Sequence, residues 1–311
     1  MNIFIAGATG VLGRSVVRRL IARGDRVRAL SRSMQNEERI RAMGAEPATG
    51  DLFQMEALAR AVKGSEIVLH LATKIPNKIR PSLRDFAEND RIRTEGTIKL
   101  LEAARMAGAR LYIQQSIAFL PARYDARVLK DDAPCVLPAS EGTPLYAAQK
   151  MEELVRHANG LHGISTVILR GGIFYHAESV QTRQLLEPIR KRQVPVFGRG
   201  ENIISMIHVD DMAAAVVAAI EKPAPGETFF VVDDHPLLFK DYVNVIGRLL
   251  GAKPAHHWPE FLARPVMGPV MGMLPKISFN CPNEKFKRAT GWKPEYPDFE
   301  TGMKQVLSQI N

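Results

Sequence analysis

Ile3-Phe4-Ile5-Ala6-Gly7-Ala8-Thr9-Gly10-Val11-Leu12-Gly13-Arg14 lies almost at the start of the chain. An apolar run leads into glycines at 7, 10 and 13, and a helix-period segment follows. Gly7 permits a tight turn, Gly10 lets backbone approach a pyrophosphate, and Gly13 allows close packing of helix on sheet. A phosphate would then face the free N–H groups of the helix start. Glycines also punctuate ordinary loops; the strand, loop and helix in this order are what make the triplet a dinucleotide signature.

Outward from that loop, short Val, Ile and Leu runs alternate with helix-period segments as far as residue 172. Strands are expected near Asn2–Ala6, Val27–Leu30, Glu46–Thr49, Ile67–Leu71, Leu111–Gln115 and Thr166–Arg170. Helices are expected near Val11–Arg23, Asn36–Met43, Met55–Val62, Asp90–Ala107 and Pro144–Asn159. Gly24 and Gly160 suit the left-handed residue after a helix end, and Thr143-Pro144 reads as a cap followed by a first-turn proline. Such alternation specifies an α/β protein with a doubly wound parallel Rossmann sheet. Residues 1–172 form the dinucleotide-binding domain. Residues 173–311, broken by many prolines, form a smaller C-terminal substrate lobe, with a segment at about 203–232 returning to the first domain.

Composition narrows the alternatives. The chain has 311 residues, 46 % of them hydrophobic and 24 % charged, which fits a globular protein of about two domains. Cys135 and Cys281 are far apart and outside any CxxC spacing, so neither a disulfide framework nor a structural zinc site is expected, and a reducing cytoplasm is the natural location. The longest apolar run, Met212 to Ile220, is less than half of the ~20 residues that span a bilayer, and no membrane partner is expected. Lys plus Arg total 42 against 33 acids, with nine arginines and three acids in residues 1–43. No nucleic-acid motif accompanies that patch and aromatics are only 7 %, so it is read as solvated helix and loop faces, or as the counterpart of an anionic cofactor. His256, His257 and His208 lack a carboxylate or cysteine at ligand spacing, and no metal is expected. Asp210-Asp211 precedes the helical run from Met212 and is read as its cap.

Further motifs follow in order: Gly50-Asp51-Leu52, His70-Leu71-Ala72-Thr73, Ser116, Tyr146-Ala147-Ala148-Gln149-Lys150, Leu169-Arg170-Gly171-Gly172, Ile207-His208-Val209-Asp210-Asp211 and Gly291-Trp292-Lys293-Pro294. Together with GATGVLG, whose spacing is GxxGxxG, this series resembles the extended and atypical short-chain dehydrogenase/reductases, the epimerase/dehydratase-like branch included. The likeness covers nearly the whole chain in the right order. It implies a nicotinamide cofactor held by Gly7, Thr9, Gly10, Val11, Leu12, Gly13, Asp51, Leu52, Leu71, Ala72, Thr73, Gly172 and Ile173, with Asp51 accepting from the adenine amino group. It also implies catalysis by Ser116, Tyr146 and Lys150, the last two touching the cofactor as well, and a homodimer built on the helices at Asp90–Ala107 and Pro144–Asn159.

The residues themselves refine these expectations. Tyr146 and Lys150 are four apart on a helix and share a face; a neighbouring ammonium favours the phenolate that proton transfer needs. Ser116, read as lying just past a strand end at the crevice of the sheet, would hold the substrate oxygen. The second strand ends Val27-Arg28-Ala29-Leu30-Ser31-Arg32-Ser33, without the acid that binds an adenosine ribose 2′-OH. Arg32 and Arg14 would instead grip a 2′-phosphate, favouring NADP with NAD as the alternative. Ser116 lacks the following Asp-Glu pair of sugar-nucleotide dehydratases, and Ile204 stands where epimerases commonly carry arginine. The expected function is therefore NADP-dependent hydride transfer to or from a carbonyl or secondary alcohol of a small, fairly apolar substrate. A nucleotide-sugar epimerase or dehydratase and a non-catalytic NADP sensor are the alternatives.

Overall fold

In the computed structural model, which describes residues 1–78, 80–137, 139 and 143–310, the N-terminal half alternates strand and helix. The elements are β1 (Asn2–Ala6), α1 (Val11–Ala22), β2 (Arg26–Ser31), α2 (Met34–Ala42), β3 (Glu46–Thr49), α3 (Met55–Val62), β4 (Ile67–His70), α4 (Ala87–Arg91), α5 (Thr97–Met106), β5 (Leu111–Ile117), α6 (Pro144–Ala158) and β6 (Ser165–Gly171). The remainder comprises β7 (Ile173–Tyr175), α7 (Val180–Arg190), β8 (Val196–Phe197), β9 (Ile203–Ile204), β10 (Met206–His208), α8 (Val209–Glu221), β11 (Thr228–Val231), β12 (Leu237–Leu238), α9 (Phe239–Leu249), β13 (His257–Trp258), α10 (Ala263–Met271), α11 (Glu284–Thr290) and α12 (Phe299–Ile310).

Seven parallel strands form one sheet in the order β11-β6-β5-β4-β1-β2-β3. Parallel strands are covered on both faces, and their side chains are accordingly apolar on both. On one face, Ile3, Ile5, Leu69, Ile113 and Leu169 pack with Val16 and Leu20 of α1 and with Met212 and Val216 of α8. On the other, Phe4, Val68, Tyr112 and Ile168 meet α3, α5 and α6. This is the doubly wound Rossmann arrangement. The strand order reverses between β1 and β4, which opens the crevice where such sheets bind ligands. A second core, including Tyr175, Ile204, Phe230, Val243, Phe279, Phe299 and Met303, gathers the C-terminal elements.

Three local expectations change. The helix expected at Asp90–Ala107 begins earlier, at Ala87, and a π-helical turn over Ile92–Gly96 separates α4 from α5. The strand expected to stop at Gln115 continues to Ile117, because Ser116 and Ile117 keep pairing with Arg170 and Gly171 of β6. Asp210-Asp211 does not supply the cap of α8: His208 does, accepting from the Asp210 amide through Nδ1 at 3.2 Å. Asp211 instead accepts the amides of Glu295 at 2.7 Å and Tyr296 at 3.0 Å, and Trp292 donates its indole N–H to the Asp211 carbonyl. The Gly291-Trp292-Lys293-Pro294 segment is thereby docked on the start of α8. The caps at Thr143-Pro144 and the left-handed Gly24 and Gly160 are as expected.

Candidate cofactor groove and catalytic helix

Gly7 ends β1 with φ +99°, a conformation open to glycine. A Cβ there would sit 2.5 Å from the Ala72 amide nitrogen, and one at Gly13 would sit 2.1 Å from the Gly7 carbonyl oxygen. The loop is thus folded against β4 and against its own helix, with no room for side chains at those two positions. Gly10 caps α1 without a side-chain acceptor, which leaves the first amides of the helix, at Val11 and Leu12, without a cap bond and available to an anion. These features fit a dinucleotide pyrophosphate.

A groove runs over the loop. Its walls include Gly7, Thr9, Gly10, Arg32, Leu52, Leu71, Ala72 and Thr73, all anticipated, together with Ala6, Leu30, Asn36, Phe53, Lys74 and Ile92, which were not. Sequence could have suggested Lys74 and Phe53, since each directly follows an anticipated residue. Asp51 stands just behind this lining, its carboxylate accepting the Phe53 amide at 2.7 Å and fixing the turn into α3. Gly172 joins β6 to β7 and Ile173 begins β7; a Cβ on Gly172 would approach the Met206 carbonyl oxygen to 2.8 Å.

Arg14 departs from its expected place. Its guanidinium donates through Nε at 2.9 Å and Nη2 at 2.6 Å to Glu178, and through Nη1 to the Thr9 carbonyl at 2.7 Å. It joins the glycine loop to the segment after β7 and is not in the groove wall. Arg32 is in that wall.

Tyr146 and Lys150 occupy successive turns at the start of α6, below the Thr143 cap, whose hydroxyl accepts the Tyr146 amide at 3.4 Å. Tyr146 is half-buried and Lys150 exposed, its ammonium 3.5 Å from Glu153. Neither lines the groove over the glycine loop. Arg93, buried in the π-helical turn, donates to the Pro144 carbonyl at 3.2 Å and so holds the helix that presents Tyr146. Burial pushes its guanidinium down to about 10.

Ser116 is corrected most. It lies inside β5 and not past its end, 1 % exposed, and its hydroxyl donates to Glu152 Oε1 at 2.6 Å. The fully buried Arg170 clamps the same carboxylate, Nε to Oε1 at 2.9 Å and Nη2 to Oε2 at 2.7 Å, and donates to the Asp131 and Ala133 carbonyls. Arg156 also donates to Glu152. A buried pair of this kind is destabilising by several kcal/mol when one partner is removed. Signals for it existed: Glu152 interrupts the apolar stripe of Ala148, Met151 and Val155, and Arg170 ends an apolar strand.

His176, His208 and Asp210 come together, with one possible ligand atom from each lying within 4.8 Å of the others. Their hydrogen bonds are already assigned. His176 Nδ1 accepts the Glu178 amide at 3.1 Å, and His208 Nδ1 accepts the Asp210 amide. The other ring nitrogen, Nε2, faces Asp210 at 3.7 Å in His176 and Gln305 at 3.2 Å in His208. The His176 contact and the Ser15 hydroxyl, which donates at 2.5 Å, hold Asp210 well below the usual carboxylate range. Burial pushes His208 down to about 4. Ile204 is buried in β9 against Leu237 and presents no charge to a ligand.

Residues 3–232 match the NAD dependent epimerase/dehydratase family, three quarters of the chain. The protein belongs to that family. Over 311 residues it is 33 % identical to a 3-diazoavenalumate denitrifying reductase from a Streptomyces species, covering 97 % of this chain and 99 % of that one. It is 30 % identical to a 4-hydroxy-2-methyl-3-oxo-4-farnesyl-3,4-dihydroquinoline-1-oxide ketoreductase from Stigmatella aurantiaca, over 81 % of this chain and 74 % of the other. A human epimerase family protein crystallised with NADPH superposes with a TM-score of 0.80 over 99 % of both chains at 18 % identity, a likeness of fold. This family member is an oxidoreductase of the short-chain dehydrogenase/reductase type that uses a nicotinamide cofactor. Among its described residues, no helix is long and apolar enough to cross a membrane.

Proposed function

We propose that this protein is an NADPH-dependent reductase of a carbonyl group on a small, fairly apolar molecule, working in the cytoplasm as a homodimer. The observation that carries the reading is the pair Tyr146 and Lys150, one turn apart at the capped start of α6, on a sheet whose glycine loop is shaped for a pyrophosphate. Similarity to a full-length reductase and to a ketoreductase supports the direction and the substrate class. The cofactor, when bound, supplies the hydride. Tyr146 gives a proton to the developing alkoxide, and the Lys150 ammonium favours the resulting phenolate and binds the nicotinamide ribose. Ser116, buried in β5 with its proton given to Glu152, supports the site from behind by fixing that carboxylate of α6. Arg32 takes the 2′-phosphate. Two free cysteines suit a reducing compartment.

The test is a panel of apolar ketones and aldehydes, with UDP- and dTDP-sugars as contrast, followed by NADPH oxidation and product analysis. Turnover of an apolar carbonyl compound, with Tyr146→Phe slower by at least ~10²-fold at unchanged NADPH affinity, is expected, in line with general acid contributions of ~10²–10⁴. Full activity in Tyr146→Phe, or conversion of a nucleotide sugar, overturns the proposal.

A further inference from the structure

Arg32 follows β2 and Lys74 follows β4, on the two sides of β1, so they stand on different flanks of the cofactor groove. Glu88 of α4 reaches both. Its Oε1 lies 3.7 Å from Arg32 Nη1 and its Oε2 lies 3.8 Å from Lys74 Nζ, one oxygen to each cation. The three side chains are 51 %, 44 % and 61 % exposed, in the order Arg32, Glu88, Lys74. The acid missing from the end of β2 is thus supplied from 57 positions further along the chain, and it faces the guanidinium assigned to the cofactor.

We propose that Glu88 is a cofactor-selectivity residue, a carboxylate that holds Arg32 and Lys74 in the free protein and yields them to the adenosine 2′-phosphate of NADPH, with Lys74 as the second phosphate ligand. The inference rests on the reading of Arg32 as the phosphate-binding residue. Both contacts are longer than hydrogen bonds and open to solvent, so they are weak ion pairs. A phosphate monoester, with more than one negative charge and three acceptor oxygens, forms stronger charge-assisted bonds with the same two cations. It must nonetheless break the bridge and then sit near a displaced carboxylate. NADH brings no phosphate and leaves the bridge standing. Glu88 therefore restrains NADPH binding while leaving NADH binding nearly untouched, which narrows the protein's preference between them.

Fluorescence titration of both cofactors into the intact protein, wild type, Glu88→Gln, Lys74→Met and Arg32→Ala, tests this. Glu88→Gln is expected to tighten NADPH binding by about 3–10-fold, the range of one or two exposed ion pairs, and to change NADH binding by less than about 2-fold. Lys74→Met should weaken NADPH selectively. Equal effects of Glu88→Gln on the two cofactors, or none, overturn the role of Glu88, provided that Arg32→Ala still weakens NADPH alone. If Arg32→Ala fails to discriminate the cofactors, it is the phosphate reading of the groove that has failed. Should Glu88→Gln be poorly folded by circular dichroism, Glu88→Ala takes its place with the same expectation, tighter NADPH binding at nearly unchanged NADH binding, and equal effects on the two cofactors overturn the role of Glu88.

Discussion

Ser116 carries one proton, and Glu152 accepts it. A hydroxyl so engaged can still accept a hydrogen bond from a substrate alcohol, but it has nothing to donate to a carbonyl oxygen. In the reductive direction the polarising donor is then Tyr146. Ser116→Ala is expected to lower kcat/KM on a ketone by less than about 10-fold, far short of the effect of Tyr146→Phe. It should also destabilise the fold by about 1–3 kcal/mol, since a buried partner of a charged pair loses its bond. Urea unfolding alongside steady-state kinetics checks both numbers; a large kinetic loss with undiminished stability would show that the hydroxyl serves the substrate directly. Side-chain partners of this kind were the least legible layer of the sequence. Arg14 and Glu178 are 164 positions apart, and Ser116 and Glu152 are 36 apart; no local pattern links either pair. What was legible were positions whose constraint is local, such as Gly7, Gly13 and the Thr143 cap.

Elements were easier to read than partners because their signals are periodic. β1, β3 and α3 lie at their expected bounds, and the excess length of β5 arises from pairing with β6, a tertiary effect. The π-helical turn at Ile92–Gly96 was invisible for a similar reason: it places Arg93 where it can reach α6, and its register answers to that contact. At the end of β4, His70 is fully buried and burial pushes it down to about 4 from 6.5. Because the folded value is depressed, the unfolded chain binds more protons below pH 6.5, and stability present above that value is lost as the pH falls toward 4. Between pH 7.5 and 5 this one residue should remove about 2 kcal/mol, at ~1.36 kcal/mol per pH unit. Guanidinium unfolding of wild type and His70→Gln at those two pH values is the check: the variant should show a shallower loss, and identical losses would exclude His70 as the titrating group.

For the whole molecule, the proposed dimer would pair α5 and α6 with their copies. Ile98 and Met106 on α5 are 52 % and 59 % exposed, large apolar side chains with no cover from the described residues of their own chain. Light scattering is expected to give twice the 34.5 kDa chain mass at micromolar concentration, and Ile98→Glu to return it to a single chain mass. A wild-type monomer would remove this assembly. The tertiary plan also bears on how such proteins can be recombined. The sheet is completed at one edge by β11 beside β6, and the face that carries Ile5 and Leu169 is covered by α1 and α8, with Phe286 and Trp292 from beyond residue 280 in the same core. A chimera that exchanges everything after β6 for the corresponding part of a relative would replace α8, β11 and Trp292 in the core of the cofactor half along with the specificity elements. In such a chimera α8, β11 and the Trp292 segment must stay with the parent that supplied the glycine loop, and so must Glu178 after β7, because Arg14 of that loop binds its carboxylate.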